Sequence, residues 1–259
     1  RCFEAESVTH VYATLDPKRD IEIVQTELIL ADLQTVEKRL SKDSHQAKVG
    51  DKKAAAEIPV LKAIQDRLGK GLAAAGLTFN EEGQKVLQSL ELLTAKPVLY
   101  VANASEKELK ERRWISQVQE LAVREKVPVV VICGDLEAEM AELSAEEREE
   151  FLRELSLSEP ALNQLIRAGY GLLGLITFYP TVVPELRSWP VPRGTPVPQA
   201  AGKIHTDMER GFIRAEVISF QDFSAAGSMA LAKEKGILRV EGKDYIVQDG
   251  DILYIRFHV

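Results

Sequence analysis

The sequence predicts an α/β protein that also contains a long helical segment and a small α+β module. Two short apolar runs that flank a helical stretch indicate a βαβ unit at about residues 97–133. Apolar residues recur at helical spacing before this unit, and several short strands follow a proline-rich segment after it. The predicted domains are residues 1–18 together with 93–170, an inserted helical arm at 19–92, and a C-terminal module at 171–259.

The helical arm is predicted from two apolar stripes with a turn signal between them. Gly50 and Asp51 form the turn signal, so we expect an antiparallel hairpin of two helices. We expect Gly76 to end the second helix and Asn80 to cap a third. The stripes contain Leu30, Leu33, Val36 and Leu40 in the first helix, and Ile58, Leu61, Ile64, Leu68, Leu72 and Ala75 in the second.

The βαβ unit places polar residues at the ends of two predicted strands. The run 97–102 is short and rich in β-branched residues, and it leads directly into Asn103. Ser105 and Glu108 have the spacing of a capping box, which predicts a helix starting after Ser105. A second apolar run, 127–133, leads into the turn Cys133–Leu136. Ligands of such sheets bind beyond the carboxyl ends of the strands, so we expect Asn103, Glu106 and this turn at one edge.

The remaining elements are predicted from caps, prolines and short apolar runs. Ser144 and Glu147 form a second capping box for a helix to about Leu155, and Ser158 with Pro160 begins a helix that ends near Gly169. Prolines between 180 and 198 predict a loop-rich segment with little room for helix. Beyond it we expect strands at 213–218, 238–240, 245–247 and 252–257 and a helix at 228–234, which together form an α+β module.

The composition is that of a globular protein of the reducing cytosol. Of the 259 residues, 45% are hydrophobic and 28% are charged, and the net charge is −7. The two cysteines form neither a disulfide framework nor a zinc site, and the four histidines lack metal-ligand spacing. No apolar stretch approaches the ~18 residues that cross a bilayer, so we expect no membrane partner.

The string NASE at residues 103–106 resembles the base-recognition motif of P-loop nucleotide hydrolases, in an NxxE variant of the usual NKxD. The rest of the chain is similar to the Obg-like ATPases of the YchF type, through RCFE, THVYATLDPKRDIEIVQTELILADLQTVEKRL, AAGKIHTDMERGFIRAEVISF and EGKDYIVQDGDILYIRFHV. This resemblance implies part of a Rossmann-like P-loop NTPase domain, an inserted coiled-coil arm and a C-terminal TGS domain, which is a ubiquitin-like β-grasp fold.

The resemblance also implies which residues bind a nucleotide, namely Asn103, Ser105, Glu106, Gly134 and Leu136. Asn103 either bonds a purine edge or braces the phosphate loop; the alternative is a turn-forming Asn at a strand end. Glu106 is one methylene longer than the Asp that reads guanine, which favours ATP over GTP. Its alternative role is a carboxylate favoured by the helix dipole. For Leu136 the alternative to packing on the base is a place in the core, and Cys133 stands where relatives usually have a small residue such as Ser.

A phosphate-binding loop is missing from the sequence. No GxxxxGK[ST] occurs in the chain, although its backbone amides and Lys hold the phosphates in P-loop enzymes. The resemblance implies that this loop, the ligands of Mg²⁺ and the residues of phosphoryl transfer lie upstream of Arg1. We therefore expect this chain to be the back part of a longer hydrolase, to contain no catalytic or metal-binding residue, and to be inactive alone.

A basic cluster at the expected tip of the arm is the candidate contact for RNA. It contains Lys42, Lys48, Lys52 and Lys53; the alternative is an ordinary solvated helix face. The resemblance implies a cytoplasmic, monomeric protein that binds the large ribosomal subunit or the 70S ribosome through rRNA and acts in translation or stress regulation. Two other functions stay open, a non-catalytic RNA- or ribosome-binding adaptor and a GTPase.

Overall fold

The chain forms two compact units in a computed structural model. The structure describes residues 1–4, 8, 11–12, 14–155, 157–181 and 187–258. The first unit comprises residues 1–168 and the second 169–259, so the predicted start of the C-terminal module at 171 lies beside this division. Within the described residues, no helix combines the length and apolar character that a membrane span requires.

The first unit contains a helical arm and a short parallel sheet. Its elements are α1 (Pro17–Lys48), α2 (Lys52–Gly69), α3 (Glu81–Ser89), a 3-10 turn (Leu93–Ala95), β1 (Tyr100–Asn103), α4 (Glu106–Glu111), α5 (Arg113–Glu125), β2 (Val129–Ile132), α6 (Gly134–Glu142), α7 (Ala145–Glu154) and the larger part of α8 (Ala161–Leu172), which continues into the second unit.

The predicted hairpin of the arm is present as α1 and α2. A three-residue turn joins them, in which Gly50 adopts a φ of +97° that only glycine reaches without strain. Asp51 caps α2 by accepting hydrogen bonds from the amides of Lys53 and Ala54 at 2.9 and 3.1 Å. The core between the helices includes Val36, Leu61, Ile64 and Leu68. Asn80 caps α3, as predicted, by accepting from the amide of Gly83.

The end of the second arm helix was predicted wrongly. α2 ends at Gly69 rather than at Gly76, because Gly71 has a φ of +72° and turns the chain. The guanidinium of Arg67 then holds the following loop by donating to the carbonyls of Ala73 and Ala75 at 2.6 and 3.1 Å. As a result Leu72 is exposed and Ala74 is buried in its place.

The buried face of α1 also differs from the predicted stripe. Leu30 is 46% exposed, whereas Asp32 is only 2% exposed. Asp32 accepts hydrogen bonds from the amides of Leu93 and Thr94 and from the Thr94 hydroxyl, at 2.7 to 2.8 Å. A buried carboxylate with three donors is stabilised rather than penalised, so this Asp fastens α1 to the 3-10 turn that precedes β1.

β1 and β2 pair in parallel, as the βαβ prediction requires. Asn103 lies opposite Ile132, and Cys2 forms a parallel bridge with Ala104 on the other side of β1. The core beneath includes Cys2, Ala102, Ala104, Ile115 and Val118.

Two helices occupy the interval in which one was predicted. α4 begins after Ser105 as expected, but Arg112 has a φ of +56° and separates α4 from α5. The capping box is only half formed, because the Glu108 carboxylate accepts from the amides of Trp114 and Ile115 at 2.5 and 2.9 Å. Glu108 therefore caps α5.

The capping box at Ser144 and Glu147 is confirmed, and it opens α7. α8 begins after Pro160, but it continues to Leu172 instead of ending near Gly169. Its first turn is capped by Glu137, which accepts from the amides of Ala161 and Leu162 at 2.7 and 3.3 Å.

The second unit is a mixed sheet with helices on both faces. Its elements are β3 (Leu175–Pro180), β4 (Trp189–Pro192), α9 (Val197–Ile204), α10 (Thr206–Arg210), β5 (Phe212–Ser219), α11 (Phe220–Ala226), α12 (Met229–Glu234), β6 (Arg239–Glu241) and β7 (Asp251–Phe257). The strand order is β4-β3-β7-β5-β6, and only β3 and β7 are parallel. Val217 and Leu253 face one core while Ile218 and Ile252 face the other.

Three predictions for this unit were wrong. The proline-rich segment was predicted to be loop-rich, but it contains β4, an edge strand that tolerates Pro190 and Pro192. The last residues of this segment begin α9. Pro184 lies outside the described residues. Residues 245–247 form only an isolated bridge between Ile246 and Pro196, because Pro196 has no amide proton and α9 begins directly after it. β3, α10 and α11 were not predicted either.

Candidate functional site

The carboxyl ends of β1 and β2 form one edge of the parallel sheet. The amide of Ala104 donates to the carbonyl of Ile132 at 2.8 Å, and the amide of Cys2 donates to the carbonyl of Asn103 at 2.7 Å. These bonds fix the chain just where both strands end. α4 and α6 begin within three residues of this edge, so their N-terminal amides start at the same edge.

Asn103 connects the two strand ends. Its side-chain carbonyl Oδ1 accepts from the amide of Gly134 at 3.2 Å, which ties the end of β1 to the first residue of α6. The side chain is half-buried, and its Nδ2 group donates to no acceptor in the described part of the chain. Nδ2 is therefore available as a donor to a ligand.

Gly134 is exposed and lies directly against Asn103. The predicted turn Cys133–Leu136 is in fact the first turn of α6, with Cys133 at the N-cap. A Cβ added to Gly134 would lie 3.5 Å from Asn103 Oδ1, which is ordinary van der Waals contact. The protein's own packing thus does not require a glycine here, and the space above Gly134 opens to solvent.

Ser105 and Glu106 lie at the start of α4. The Ser105 hydroxyl accepts from the amide of Glu108 at 3.3 Å, so it serves as the N-cap. Glu106 is the first residue of the helix and is exposed. Its carboxylate makes no hydrogen bond or ion pair with any described residue, which leaves it free to accept from a ligand.

Leu136 and Cys133 lie below this surface. They are 5% and 4% exposed, so protein atoms already cover their side chains. This burial favours the core alternative for Leu136, which supports the first turn of α6 from beneath. Cys2 is also fully buried, and burial raises the pKa of its thiol.

The arrangement offers an amide donor, a carboxylate acceptor and an exposed helix start next to the carboxyl ends of the two strands. These groups suit the edge of a purine, which presents donors and acceptors in one plane. The described residues contain no cluster of His, Cys, Asp or Glu that could hold a metal ion.

The predicted basic cluster lies at the arm tip. Lys42 and Lys48 are in α1 and Lys52 and Lys53 are in α2, and all four side chains are exposed. None of them forms an ion pair with a described carboxylate. Asp43, which lies among them in the sequence, is buried and bound to Arg39 at 2.9 Å. The tip therefore presents uncompensated positive charge.

Comparison with known proteins identifies the family. The family model YchF-GTPase_C, described as "Protein of unknown function (DUF933)", matches residues 175–258. A protein named ribosome-binding ATPase YchF from Bacillus subtilis (strain 168) is 45% identical over 262 residues, which cover 100% of this chain and 72% of that protein. The chain belongs to the YchF family.

Further YchF proteins agree in sequence and in fold. The ribosome-binding ATPase YchF of Escherichia coli O157:H7 is 46% identical over 259 residues, covering 100% of this chain and 71% of that protein. The structure of the Schizosaccharomyces pombe YchF GTPase superposes with a TM-score of 0.85 at 26% identity, covering 98% of this chain and 70% of the other. The family resemblance stated from the sequence strings is confirmed.

One polar cluster at the start of β1 was missed in the sequence. Gln25 of α1 donates to the Tyr100 hydroxyl at 2.7 Å and to Glu125 at 3.0 Å, and Tyr100 donates to Glu125 at 2.5 Å. Burial, followed by the bond to Glu125, raises the pKa of Tyr100. The three residues lie far apart in the chain, so no local pattern could have revealed that they join the arm to β1 and α5.

Proposed function

We propose that this chain is the base-recognition and partner-binding part of a nucleotide hydrolase that prefers ATP and binds the ribosome. The observation that carries this proposal is the hydrogen bond from Gly134 to Asn103 at the strand ends, with the exposed Glu106 three residues further along the chain. Relatives with the same family membership are named ribosome-binding ATPases, and the similar solved structure is named a GTPase. Nucleotide hydrolysis is the activity that these names share.

The preference for ATP rests on Glu106. An Asp in this position would accept from both N1–H and the exocyclic amine of guanine. The extra methylene of Glu106 displaces the carboxylate from that bidentate geometry, and adenine does not need it. Asn103 Nδ2 supplies the donor to the purine edge, Ser105 and Gly134 shape the surface, and Leu136 supports it.

Phosphate binding requires residues that this sequence does not contain. The chain has no GxxxxGK[ST] loop, and its described residues form no metal cluster. Mg²⁺ in such hydrolases binds the phosphates and loop side chains rather than the base site. The chain alone therefore neither hydrolyses ATP nor binds it tightly; a dissociation constant in the low micromolar range, about −8 kcal/mol, in isothermal titration would contradict this.

Ribosome binding is assigned to the arm tip. The exposed lysines Lys42, Lys48, Lys52 and Lys53 are suited to the phosphates of rRNA on the large subunit or the 70S ribosome. Such a protein works in the cytoplasm, as a monomer, in translation or its regulation under stress. The lack of a phosphate loop in this sequence also fits a second candidate, a non-catalytic ribosome-binding adaptor. The two candidates differ in the parent protein, which contains GxxxxGK[ST] if it is a hydrolase and lacks it if it is an adaptor.

The decisive experiment substitutes Asn103 in the parent protein. Asn103→Asp keeps an oxygen that accepts from the amide of Gly134 but removes the Nδ2 donor, so α6 stays in place while the base contact is lost. We expect the affinity for a fluorescent ATP analogue to fall by about 1–3 kcal/mol, the size of one good polar base contact.

A matched control separates base binding from folding. Asn80→Asp changes another Asn that accepts a backbone amide bond, at the cap of α3 in the arm. This control should bind the analogue like the wild type. Equal affinities of Asn103→Asp and the wild type would show that Asn103 does not read the base.

A further inference from the structure

A groove of about 1000 Å³ lies near the arm tip, between α2 and α3. Its inner wall consists of small and aliphatic side chains, of which Val60 and Val86 also pack on the arm core. Lysines and acidic residues border it. Its lining includes Ala56, Pro59, Val60 and Val86 in the wall and Arg39, Lys52, Lys53, Lys85, Glu57 and Glu82 at the border.

Two lysines on the α2 side of this border are unpaired among the described residues, and so is Glu82 on the α3 side. Arg39 is already bound to Asp43 and Glu57, at 2.9 and 2.6 Å, and this bonding raises the pKa of its guanidinium. Lys85 is paired with Glu81 at 2.7 Å. Lys52 and Lys53 have no carboxylate within ion-pair distance among the described residues. The groove therefore combines an aliphatic wall with two lysines that are not ion-paired with any described residue, at the end nearest the tip.

These properties favour a protein segment over RNA. A nucleic-acid strand binds such grooves by stacking its bases on aromatic side chains, and none of the described residues that line this groove is aromatic. An aliphatic wall is instead covered by the apolar face of an amphipathic helix. Lysines beside such a wall select a segment that carries carboxylates next to its apolar residues.

We propose that this groove binds an acidic amphipathic segment of a partner protein. Its apolar side chains lie against Ala56, Pro59, Val60 and Val86, and its carboxylates lie beside Lys52 and Lys53. This inference deepens the proposed role of the arm in partner binding. Lys52 and Lys53 are shared with the proposed rRNA contact, so the segment and rRNA would compete for them. The experiment below contains neither nucleotide nor ribosome, so it can fail while the proposed hydrolase and its ribosome contact stand.

The experiment measures fluorescence anisotropy of labelled probes with the whole 259-residue chain. The first probe is an amphipathic peptide of Glu, Leu and Phe, about 14 residues or roughly four helical turns. The second keeps every Glu but replaces Leu and Phe by Ser, and the third is an oligouridylate of the same length. We expect the first probe to bind about tenfold more tightly than either control, because only it matches both the wall and the cations.

A pair of neighbouring substitutions locates the contact. Ala56 lines the groove and Ala55 does not, although both are exposed on α2. Ala56→Glu places a negative charge in the wall and should weaken the amphipathic acidic peptide at least about fivefold, while Ala55→Glu leaves it within about twofold. The double variant Lys52→Gln/Lys53→Gln should also weaken binding of the amphipathic acidic peptide. It changes two exposed side chains and leaves the wall of the groove intact.

Three results would overturn the proposal. One is no saturable binding of the amphipathic acidic peptide at any concentration tested. Another is equal binding by the Ala56→Glu and Ala55→Glu variants when both unfold at the wild-type temperature. The third is oligouridylate binding that Ala56→Glu abolishes, which would assign the groove to RNA instead.

Discussion

At the scale of single residues, the proposed base site contains polar groups that make no bond within the described structure. The Oδ1 atom of Asn103 accepts a hydrogen bond from the amide of Gly134, and its Nδ2 group donates to no described residue. Glu106 lies at a helix start, and its carboxylate has no partner in the described structure. Unpaired polar groups on a surface cost little, so nothing in folding demands these residue types.

The first residue prediction concerns Glu106. In the parent protein, Glu106→Asp should shift the preference toward GTP by about 1–3 kcal/mol, because the shorter side chain restores the bidentate contact with guanine. Competition of ATP and GTP for a fluorescent nucleotide measures this ratio. Glu106→Gln is the control, because it keeps the length and loses the charge; it should not favour GTP. An unchanged ratio in Glu106→Asp would remove Glu106 as the discriminating residue.

The second residue prediction concerns Tyr245 in the C-terminal unit. Its hydroxyl donates to the buried Asp251 at 2.8 Å and accepts from Arg239 at 3.2 Å. Burial and then the bond to Asp251 raise the pKa of Tyr245 from 10.0 to about 12. A raised folded pKa contributes stability that is present below pH 10 and is lost as the pH approaches 12.

Tyr245→Phe should therefore cost about 1 kcal/mol at pH 8, the size of one hydrogen bond. The difference from the wild type should shrink as the pH rises above about 10, where the unfolded tyrosine ionises. Urea unfolding followed by the fluorescence of Trp189, in a Trp114→Phe background, would measure it. If the difference in the free energy of unfolding stayed constant up to about pH 11, the hydroxyl would not have this role, because that pH lies midway between the unfolded and the folded pKa of Tyr245.

At the scale of elements, buried charges hold the arm together. Arg39 bridges Asp43 on its own helix and Glu57 on α2, and these carboxylates are 2% and 8% exposed. Asp32 fastens the same helix to the turn before β1. Helices that pack only through aliphatic side chains can slide along each other, whereas such polar bonds define one register.

Arg39→Ala should destabilise the arm by about 2–4 kcal/mol, because two buried carboxylates lose their partner. Lys38→Ala is the matched control, since Lys38 is the exposed neighbour on the same helix and should change stability by less than about 0.5 kcal/mol. Thermal unfolding, followed by the helical circular-dichroism signal at about 222 nm, would compare the two variants. Equal midpoints of the two variants would show that the bridge contributes nothing.

The sequence predicts elements well where the local signal and the packing agree. The βαβ unit, the hairpin turn at Gly50, the Asn80 cap and the capping box at Ser144 all depend on neighbouring residues, and each is present. Errors arose where distant contacts decide. The bridge partner of Ile246 is the distant Pro196. The early end of α2 is the exception, because Gly71 and Arg67 are close to it in the sequence.

The same distinction applies to the candidate site. Asn103, Ser105 and Glu106 are adjacent in the sequence, so their common position follows from one strand and one helix cap. The bond from Gly134 to Asn103 joins residues 31 positions apart, and only strand order suggests it. The caps by Glu108 and Glu137 could not be predicted, because nothing local marks Arg112 for a positive φ or brings Glu137 to α8.

At the scale of the whole molecule, charge is distributed unevenly. The chain has a net charge of −7, yet residues 38–53 contain six Lys or Arg residues against two Asp residues. Because Asp51 caps α2 and Asp43 is buried, neither carboxylate projects freely toward a partner. An acidic protein with one basic projection approaches a polyanion with that projection first.

The last prediction tests that projection. Neutralising Lys42, Lys48, Lys52 and Lys53 to Gln should weaken co-sedimentation with ribosomes and reduce the slope of log K against log salt by about 0.7–0.9 for each lost phosphate contact. Lys42→Gln/Lys48→Gln alone should have part of this effect and leave peptide binding in the groove intact. The control for this double variant is Lys62→Gln/Lys96→Gln, which also removes two positive charges but from exposed positions outside the tip. The control should behave like the wild type. If the fourfold variant sediments with ribosomes like the wild type at every salt concentration, the arm tip is not the contact, and the C-terminal unit becomes the leading candidate.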